Sequence, residues 1–394
     1  MRTRKSVWAY PWDIADEGTD TVLTWLEDAG FDAIELCPNY HAISTFAPRN
    51  PGRSIFYSEQ GGVFFPACAA RYGRIVPQVF DEPTVVRAFK EVAEQSPTHG
   101  IQLNAWVIGM FQPWMARAYP DVAVENTLGA RSYAQTCPSS PDVQEYLANL
   151  VNDLCNQYSM HSVTLEGIGH TAFAHGWVRE RILVSLDPWA RYLAGLCFCE
   201  NCLSAARTHG VDAEAVREAV AQELRIRIST KPRVCDLEAE IAARCETDEG
   251  FRGYLEAREQ TATRTIDGVR RSLRGTGVGL NVTEASTGWS PSGLRLADLI
   301  DRIDGLLLPD PTDEAAEVKR QLQLARSPGR NIEIIISQWG SDVLEPFSTA
   351  FEARISRIAE LGIDRVAIYN FGLLAPDTLR HIGILLNRHL PTQA

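Results

Sequence analysis

The order of strand-like and helix-like segments constrains the fold of this chain more than any other feature. Eight short segments rich in β-branched and apolar residues are separated by segments whose apolar residues recur at helical spacing. The predicted strands cover residues 6–10, 31–37, 101–108, 161–166, 277–284, 305–309, 332–337 and 365–370. Strands that alternate with helices pair in parallel, and eight of them predict a closed (β/α)8 TIM barrel. A doubly wound sheet seldom needs eight strands, and no Gly-x-Gly-x-x-Gly turn follows the first one.

The helices predicted between these strands leave one interval that is much longer than an ordinary connection. They are expected at 21–30, 84–96, 141–158, 295–302, 313–325 and 348–361. Residues 177–275 contain no segment that resembles the eight strands, and further helices are predicted there at 213–228 and 251–273. We therefore expect a single barrel domain over residues 1–394, with a helical insertion at 177–275.

Charge and hydropathy limit the partners of the chain. It has 394 residues, with 50 acidic and 38 basic side chains and a formal net charge of -12. Nucleic-acid binding relies on clustered Lys and Arg, so we expect a small-molecule or oligosaccharide substrate and no nucleic acid. No apolar run approaches the roughly 20 residues that cross a bilayer, and the N-terminus lacks the apolar core of a secretory signal. These features predict a cytoplasmic protein without membrane contact.

Candidate functional residues lie where the predicted strands end, because barrel enzymes build their sites from the C-terminal ends of the strands. Glu166, Glu284 and Asp310 are carboxylates at the ends of the fourth, fifth and sixth strands, and we predict catalytic roles for them. A sugar ring needs aromatic surface for its CH face and polar partners for its hydroxyl groups. The predicted substrate-binding residues are Trp12, Asn39, Tyr40, His41, His170, Gln338, Trp339, Tyr369 and Asn370. Each of these side chains could instead have a structural role.

A cysteine cluster predicts a metal site. Cys197, Cys199 and Cys202 have the spacing Cys-x-Cys-x-x-Cys, which a tight loop can wrap around a tetrahedral zinc ion. Cys137 follows the third strand and can reach the same end of the barrel as a fourth ligand. The total of nine cysteines is odd and unlike a secreted disulfide framework, although buried or redox-active cysteines remain an alternative. Four thiolates leave no open position for water, so we expect structural zinc.

Three segments follow one another in an order that carries a family resemblance. They are Cys-Pro-Ser-Ser-Pro at 137–141, Leu165-Glu166, and Cys-Phe-Cys-Glu-Asn-Cys at 197–202. This order resembles the zinc-containing β-galactosidases of glycoside hydrolase family 42, which belong to a clan of (β/α)8 retaining glycosidases. The resemblance covers residues 135–206. It implies that the four cysteines hold zinc, that Glu166 is the general acid/base, and that the protein forms a ring-like homo-oligomer.

Two positions depart from the pattern of that family. Leu165 replaces an Asn that contacts the sugar 2-hydroxyl, and Gln338 stands where the clan has its nucleophilic Glu. An amide cannot attack an anomeric carbon. We therefore expect a glycoside hydrolase in which Glu166 protonates the leaving oxygen, while Asp310 or Glu284 activates water or attacks. Two alternatives stay open: a sugar-binding barrel that has lost catalysis, and a non-hydrolytic isomerase or lyase with His41 as its base.

Overall fold

Eight parallel strands close into a barrel in the computed structural model, which describes residues 3–177, 180–283, 285–309, 316–329, 332–338 and 345–390. The barrel strands are numbered in chain order. Their bounds are β1 Arg4–Ala9, β2 Ala33–Tyr40, β3 Gln102–Ile108, β4 Ser162–Glu166, β5 Gly279–Val282, β6 Gly305–Leu308, β7 Glu333–Gln338 and β8 Arg365–Ile368. Each strand pairs with its neighbours in this order, and β8 pairs with β1. The predicted (β/α)8 fold is confirmed.

Successive residues of each barrel strand face the interior and the helical layer in turn. One buried cluster fills the interior, and it includes Trp8, Cys37, Trp106, Leu307 and Ile335. A second cluster lies between the strands and the helices, and it includes Val7, Ile34, Val163 and Ile336. Because both faces are covered, the strands appear in the sequence as continuous apolar runs. This property made them recognisable without the structure.

Helices cover the outside of the barrel. Outside the connection between β4 and β5 they are Pro11–Glu17, Thr19–Asp28, Pro83–Gln95, Pro113–Ala118, Pro141–Gln157, Leu296–Leu299, Ala316–Ala325, Thr349–Glu360 and Pro376–His389. The helices Pro11–Glu17, Pro113–Ala118 and Pro376–His389 were not predicted. All three begin with proline, which suits the first helical position because no N–H is needed there. The first strand was predicted to end at residue 10, and the helix that begins at Pro11 was missed.

In the described part of the long connection between β4 and β5 there are five helices. They are Pro188–Gly195, Glu200–Thr208, Ala213–Ile228, Leu237–Thr247 and Glu249–Ser272. Helix Glu249–Ser272 packs against helix Pro141–Gln157 of the barrel. A separate buried cluster joins these helices around the cysteines and includes Leu196, Phe198 and Tyr254. The division into one barrel domain with an insertion at 177–275 stays a prediction.

Short strands add to the C-terminal end of the barrel. Ile43–Phe46 pairs with Ile55–Ser58 in the connection after β2, and Ala123–Glu125 pairs with Arg131–Thr136 after β3. Gly62–Val63 pairs antiparallel to the end of β2. These segments bring the long connections over the mouth of the barrel. In the part of the chain that the structure describes, no helix is long and apolar enough to span a bilayer.

Candidate active site

Glu166 is the last residue of β4 and faces the barrel interior. Val163 and Leu165 belong to the outer cluster, so alternation along the strand turns Glu166 inward. The indole Nε1 of Trp106, on the neighbouring strand β3, donates a hydrogen bond of 2.6 Å to Oε2 of Glu166. The strand end and this indole therefore hold the carboxylate at the mouth of the barrel.

A cavity of about 650 Å³ lies beside Glu166, a volume in the range of small-molecule sites. Its walls come from the ends of β3, β4 and β6, from the segments that follow β2 to β6, and from helix Ala316–Ala325. The lining residues are His41, Ile108, Phe111, Glu166, Gly167, His170, Thr171, Ala172, His175, Thr283, Ala285, Ser290, Pro291, Ser292, Leu308, Pro309, Glu317, Val318 and Gln321. The structure thus brings three of the predicted site residues, Glu166, His41 and His170, to one cavity.

His41 is held on both faces of its ring and at one nitrogen. The ring centroid lies 4.0 Å from that of Tyr40 and 4.2 Å from that of Phe111. Nδ1 lies 2.6 Å from the carbonyl oxygen of Ala42, and since a carbonyl can only accept, Nδ1 is the donor. Burial is the main cause that lowers the pKa of His41 to about 4. The hydrogen bond to Ala42 raises this pKa, and the nearby His175 lowers it by a smaller amount. The imidazole is therefore neutral at neutral pH, with its lone pair on Nε2.

The other ionisable groups of the cavity are two histidines and a second carboxylate. Burial lowers the pKa of His175, and burial together with Arg258 lowers the pKa of His170. Burial raises the pKa of Glu317, but hydrogen bonds from Thr287 and Arg320 outweigh burial and lower it. The backbone N and Oγ1 of Thr287 lie 2.6 and 2.7 Å from the carboxylate oxygens of Glu317. Glu317 thus ties the loop after β5 to the helix after β6.

An aromatic block fills the barrel mouth on the other side of Glu166. The hydroxyl of Tyr10 lies 2.5 Å from that of Tyr369 and donates to that of Tyr40 at 3.3 Å. Burial raises the pKa of all three tyrosines, so they remain neutral. Trp12 is stacked between Tyr10 and Phe56, with centroid distances of 4.3 and 3.9 Å. Among the described residues, the cavity lining includes none of Trp12, Tyr40 and Tyr369, and their contact with substrate stays a prediction.

Three predicted amide residues have structural partners. The Nδ2 of Asn39 donates to the carbonyl of Ile108 at 2.8 Å, and its Oδ1 accepts from the Ile108 N–H at 3.1 Å. This pairing replaces ladder bonds where the register between β2 and β3 shifts. Gln338 is buried, and alternation along β7 places it on the same face as Ile336, toward the helices. Asn370 accepts from a backbone N–H two residues later at 3.0 Å. Substrate contacts of these three residues stay predictions.

The remaining predicted residues, Glu284, Asp310 and Trp339, lie outside the described part of the chain, so their roles stay predictions. Sequence reasoning missed Phe111 and Glu317 as cavity residues. Phe111 follows β3 by three residues, a signal that was available in the sequence. Glu317 belongs to the first turn of helix Ala316–Ala325, and its approach to the cavity depends on the loops rather than on a strand end.

The four predicted metal ligands meet in the buried core between the barrel and the added helices. The Sγ atoms of Cys137, Cys197, Cys199 and Cys202 all lie within 4.8 Å of one another. The Sγ of Cys137 is 3.4 Å from that of Cys202 and 3.7 Å from that of Cys197. Sulfurs bound tetrahedrally at about 2.3 Å from zinc lie about 3.8 Å apart. The arrangement is consistent with a metal site.

Comparison with solved structures identifies similar folds, although no protein-family model and no curated protein matches the sequence. α-L-fucosidase isoenzyme 2 from Paenibacillus thiaminolyticus aligns with a TM-score of 0.57 and 13% identity over 98% of this chain and 49% of the fucosidase. The catalytic domain of β-amylase from Paenibacillus polymyxa aligns with a TM-score of 0.56 and 10% identity over 98% of this chain and 97% of the β-amylase domain. The β-galactosidase from Marinomonas ef1 aligns with a TM-score of 0.55 and 10% identity over 97% of this chain and 59% of the β-galactosidase.

This chain has the barrel fold of these glycoside hydrolases. The chain spans about half the length of the fucosidase and less than two thirds of the β-galactosidase. At these identities the likeness concerns the fold alone, so kinship with glycoside hydrolase family 42 stays a prediction. The chemistry must be argued from the cavity itself. There, Glu166 and the neutral imidazole of His41 line one cavity, and two such groups can transfer protons to and from a bound molecule.

Proposed function

We propose that the protein is a glycoside hydrolase in which Glu166 is the proton donor to the leaving oxygen. One observation carries this proposal: Glu166 ends β4, faces inward and lines the cavity of about 650 Å³ at the C-terminal end of the barrel. Active sites of this fold lie at that end. The fucosidase, β-amylase and β-galactosidase with similar folds support a hydrolase of sugars.

Proton donation by Glu166 assists the step in which the glycosidic C–O bond breaks. An alkoxide is a poor leaving group, and a carboxylic acid in hydrogen-bond contact with the oxygen provides the proton as the bond lengthens. Trp106 orients the carboxyl group by its hydrogen bond to Oε2. Glycosidases need a second group to activate water or to attack. The sequence offers Asp310 and Glu284 for that task, and the role of Glu166 is the same whichever group serves.

The four-cysteine site has a structural role in this proposal. We propose that it holds zinc, since four thiolates form a closed tetrahedral set without a position for water or substrate. The metal would join the hairpin that precedes Cys137 to the start of helix Glu200–Thr208. The order of the three segments at 137–141, 165–166 and 197–202 supports a distant relationship to glycoside hydrolase family 42 and, with it, a homo-oligomer.

The proposal is tested with aryl α- and β-glycosides, both pyranosides and furanosides, that differ in the acidity of the leaving phenol. Glu166→Gln should lower kcat by about 10² to 10⁴ for poorly acidic phenols, because these leave only with proton assistance. The loss should shrink for dinitrophenyl glycosides, which leave without a proton. Rates and melting temperatures of the wild type and the variant are compared under the same conditions.

Glu94→Gln is the matched control, because Glu94 is exposed on helix Pro83–Gln95, outside the cavity. It should hydrolyse all substrates at the wild-type rate. A folded Glu166→Gln protein with undiminished kcat would refute the role of Glu166. A folded wild-type protein that hydrolyses none of the glycosides but binds sugars would instead support the alternative of a barrel that binds without cleaving.

A further inference from the structure

Activation of the attacking water is the step for which Glu166 needs a partner. In inverting glycosidases, a base stands across the sugar from the acid, and the two groups lie about 6.5 to 9.5 Å apart. Such a base must face the same cavity as Glu166. It must also be unprotonated at neutral pH and have a lone pair that can accept a proton from water.

His41 has the required position in the barrel. It follows β2, whereas Glu166 ends β4, and β3 lies between these two strands. Neighbouring strands are about 4.8 Å apart, so two strand spacings separate the residues by about 10 Å. Both side chains line the same cavity. The two side chains therefore reach one cavity from strand ends about 10 Å apart, which is close to the span of an inverting pair.

The contacts of the imidazole leave one nitrogen for substrate chemistry. Tyr40 and Phe111 hold the two faces of the ring, and the Ala42 carbonyl accepts the hydrogen bond of Nδ1. Among the described residues, no hydrogen-bond partner is assigned to Nε2. Because the ring lines the cavity, Nε2 is the atom that can accept a proton there. The carbonyl of Ala42 holds the proton on Nδ1 and so fixes the tautomer with a free lone pair on Nε2. Histidine bases are generally oriented by a hydrogen bond of this kind.

The groups around His41 also set its basicity. The titratable side chains around it are Tyr40 against one face, His175 beyond Phe111, and Glu166 and His170 on the cavity wall. Burial is the main cause that lowers the pKa of His41 to about 4. A carboxylate base has an ordinary pKa of about 4. His41 thus has the base strength of a glycosidase carboxylate but no charge.

We infer that His41 is the general base of an inverting hydrolysis, in the role that a second carboxylate has in other glycosidases. The inference rests on the proposed function of Glu166. Nε2 removes a proton from water as the water oxygen bonds to the anomeric carbon. The glycosidic C–O bond breaks, its electron pair stays on the leaving oxygen, and that oxygen takes the proton of Glu166. The imidazolium then releases its proton to solvent, and Glu166 takes up another.

The test combines product stereochemistry with variants of His41. Proton NMR of the first-formed sugar should show inverted anomeric configuration. His41→Gln should lower kcat by about 10² to 10⁴ with little change in KM. The acid limb of its kcat/KM profile, which reports the base in the free enzyme, should disappear.

His41→Glu should retain part of the activity, and formate should partly restore His41→Ala. His209→Gln, at an exposed histidine, should match the wild type.

The outcomes separate this inference from the proposed function. Products with retained anomeric configuration would overturn the role of His41 and leave that of Glu166. The same conclusion would follow if His41→Gln kept an undiminished kcat while Glu166→Gln was inactive. Loss of turnover in Asp310→Asn or Glu284→Gln, with His41→Gln active, would assign the base to a carboxylate. Full activity in both His41→Gln and Glu166→Gln would end the proposed function as well. Formate rescue of His41→Ala would also show that the variant is folded.

Discussion

Asp13, in the short helix after β1, has a carboxyl group whose protonation is coupled to folding. The residue is almost wholly buried, and a Cβ at Gly372 would collide with its Oδ2. Burial raises the pKa of Asp13 to about 8, the neighbouring Glu17 and Asp16 add to this effect, and Arg49 opposes it. The folded protein therefore holds a proton that the unfolded chain releases near pH 4.

The prediction for Asp13 concerns the pH dependence of stability. Between about pH 4 and pH 8 the folded state binds more protons than the unfolded state, so this residue lowers the free energy of unfolding as pH rises, by about 1.4 kcal/mol per pH unit. Asp13→Asn removes this dependence. We expect its melting temperature to fall less than that of the wild type between pH 5 and pH 8. Asp28→Asn, at an exposed position, should give a curve parallel to that of the wild type, and a parallel curve for Asp13→Asn would contradict the prediction.

At the scale of elements, the sequence was most informative about the barrel strands. All eight could be predicted because parallel strands covered on both sides are continuous apolar runs. Their ends were less certain: β2 extends to Tyr40, so that Asn39 pairs with the backbone of β3 instead of lying in a loop. The helix that begins at Pro11, directly after the first predicted strand, was also missed. Tertiary contacts decide such cases.

The four-cysteine site leads to a prediction about two joined elements. Metal analysis should find one zinc ion per chain. Cys202→Ser should lower the metal content and the melting temperature, because it opens a site that connects helix Glu200–Thr208 to the segment at Cys137. Cys68→Ser is the matched control, since Cys68 is exposed and outside the cluster. A metal-free wild-type protein of unchanged stability would contradict this assignment.

At the scale of the whole molecule, the cavity could be predicted only in part. Glu166 and His41 were found because they lie at or beside strand ends. Phe111 follows β3 by three residues and could have been found, whereas Glu317 comes from a helix whose approach depends on how the long connections fold over the barrel. The opposite end of the barrel was not predicted at all. Charged residues inside apolar strands gave no sign in the sequence that they pair across the interior.

The buried residues Arg365 and Glu35 form an ion network with the half-buried Glu333 at the N-terminal end of the barrel, where it joins β8 to β2 and β7. The guanidinium of Arg365 lies 2.7 Å from Glu35 and 3.2 Å from Glu333, and Asn104 on β3 donates to Glu35 at 3.1 Å. Arg365→Met would leave Glu35 buried without its cation, which should cost about 3 to 5 kcal/mol of stability. The loss is measured as the shift in the urea midpoint.

Controls for this network separate the unpaired charge from the lost packing. Adding Glu35→Gln to Arg365→Met should recover part of the loss, because the stranded charge is removed. Arg388→Met breaks an exposed ion pair with Glu352 and should leave the midpoint nearly unchanged. If Arg365→Met were as stable as Arg388→Met, the network would not contribute to barrel closure. The folded fraction of Arg365→Met should keep the wild-type kcat, since the network and Glu166 lie at opposite ends of the barrel and the proposed chemistry belongs to the C-terminal end.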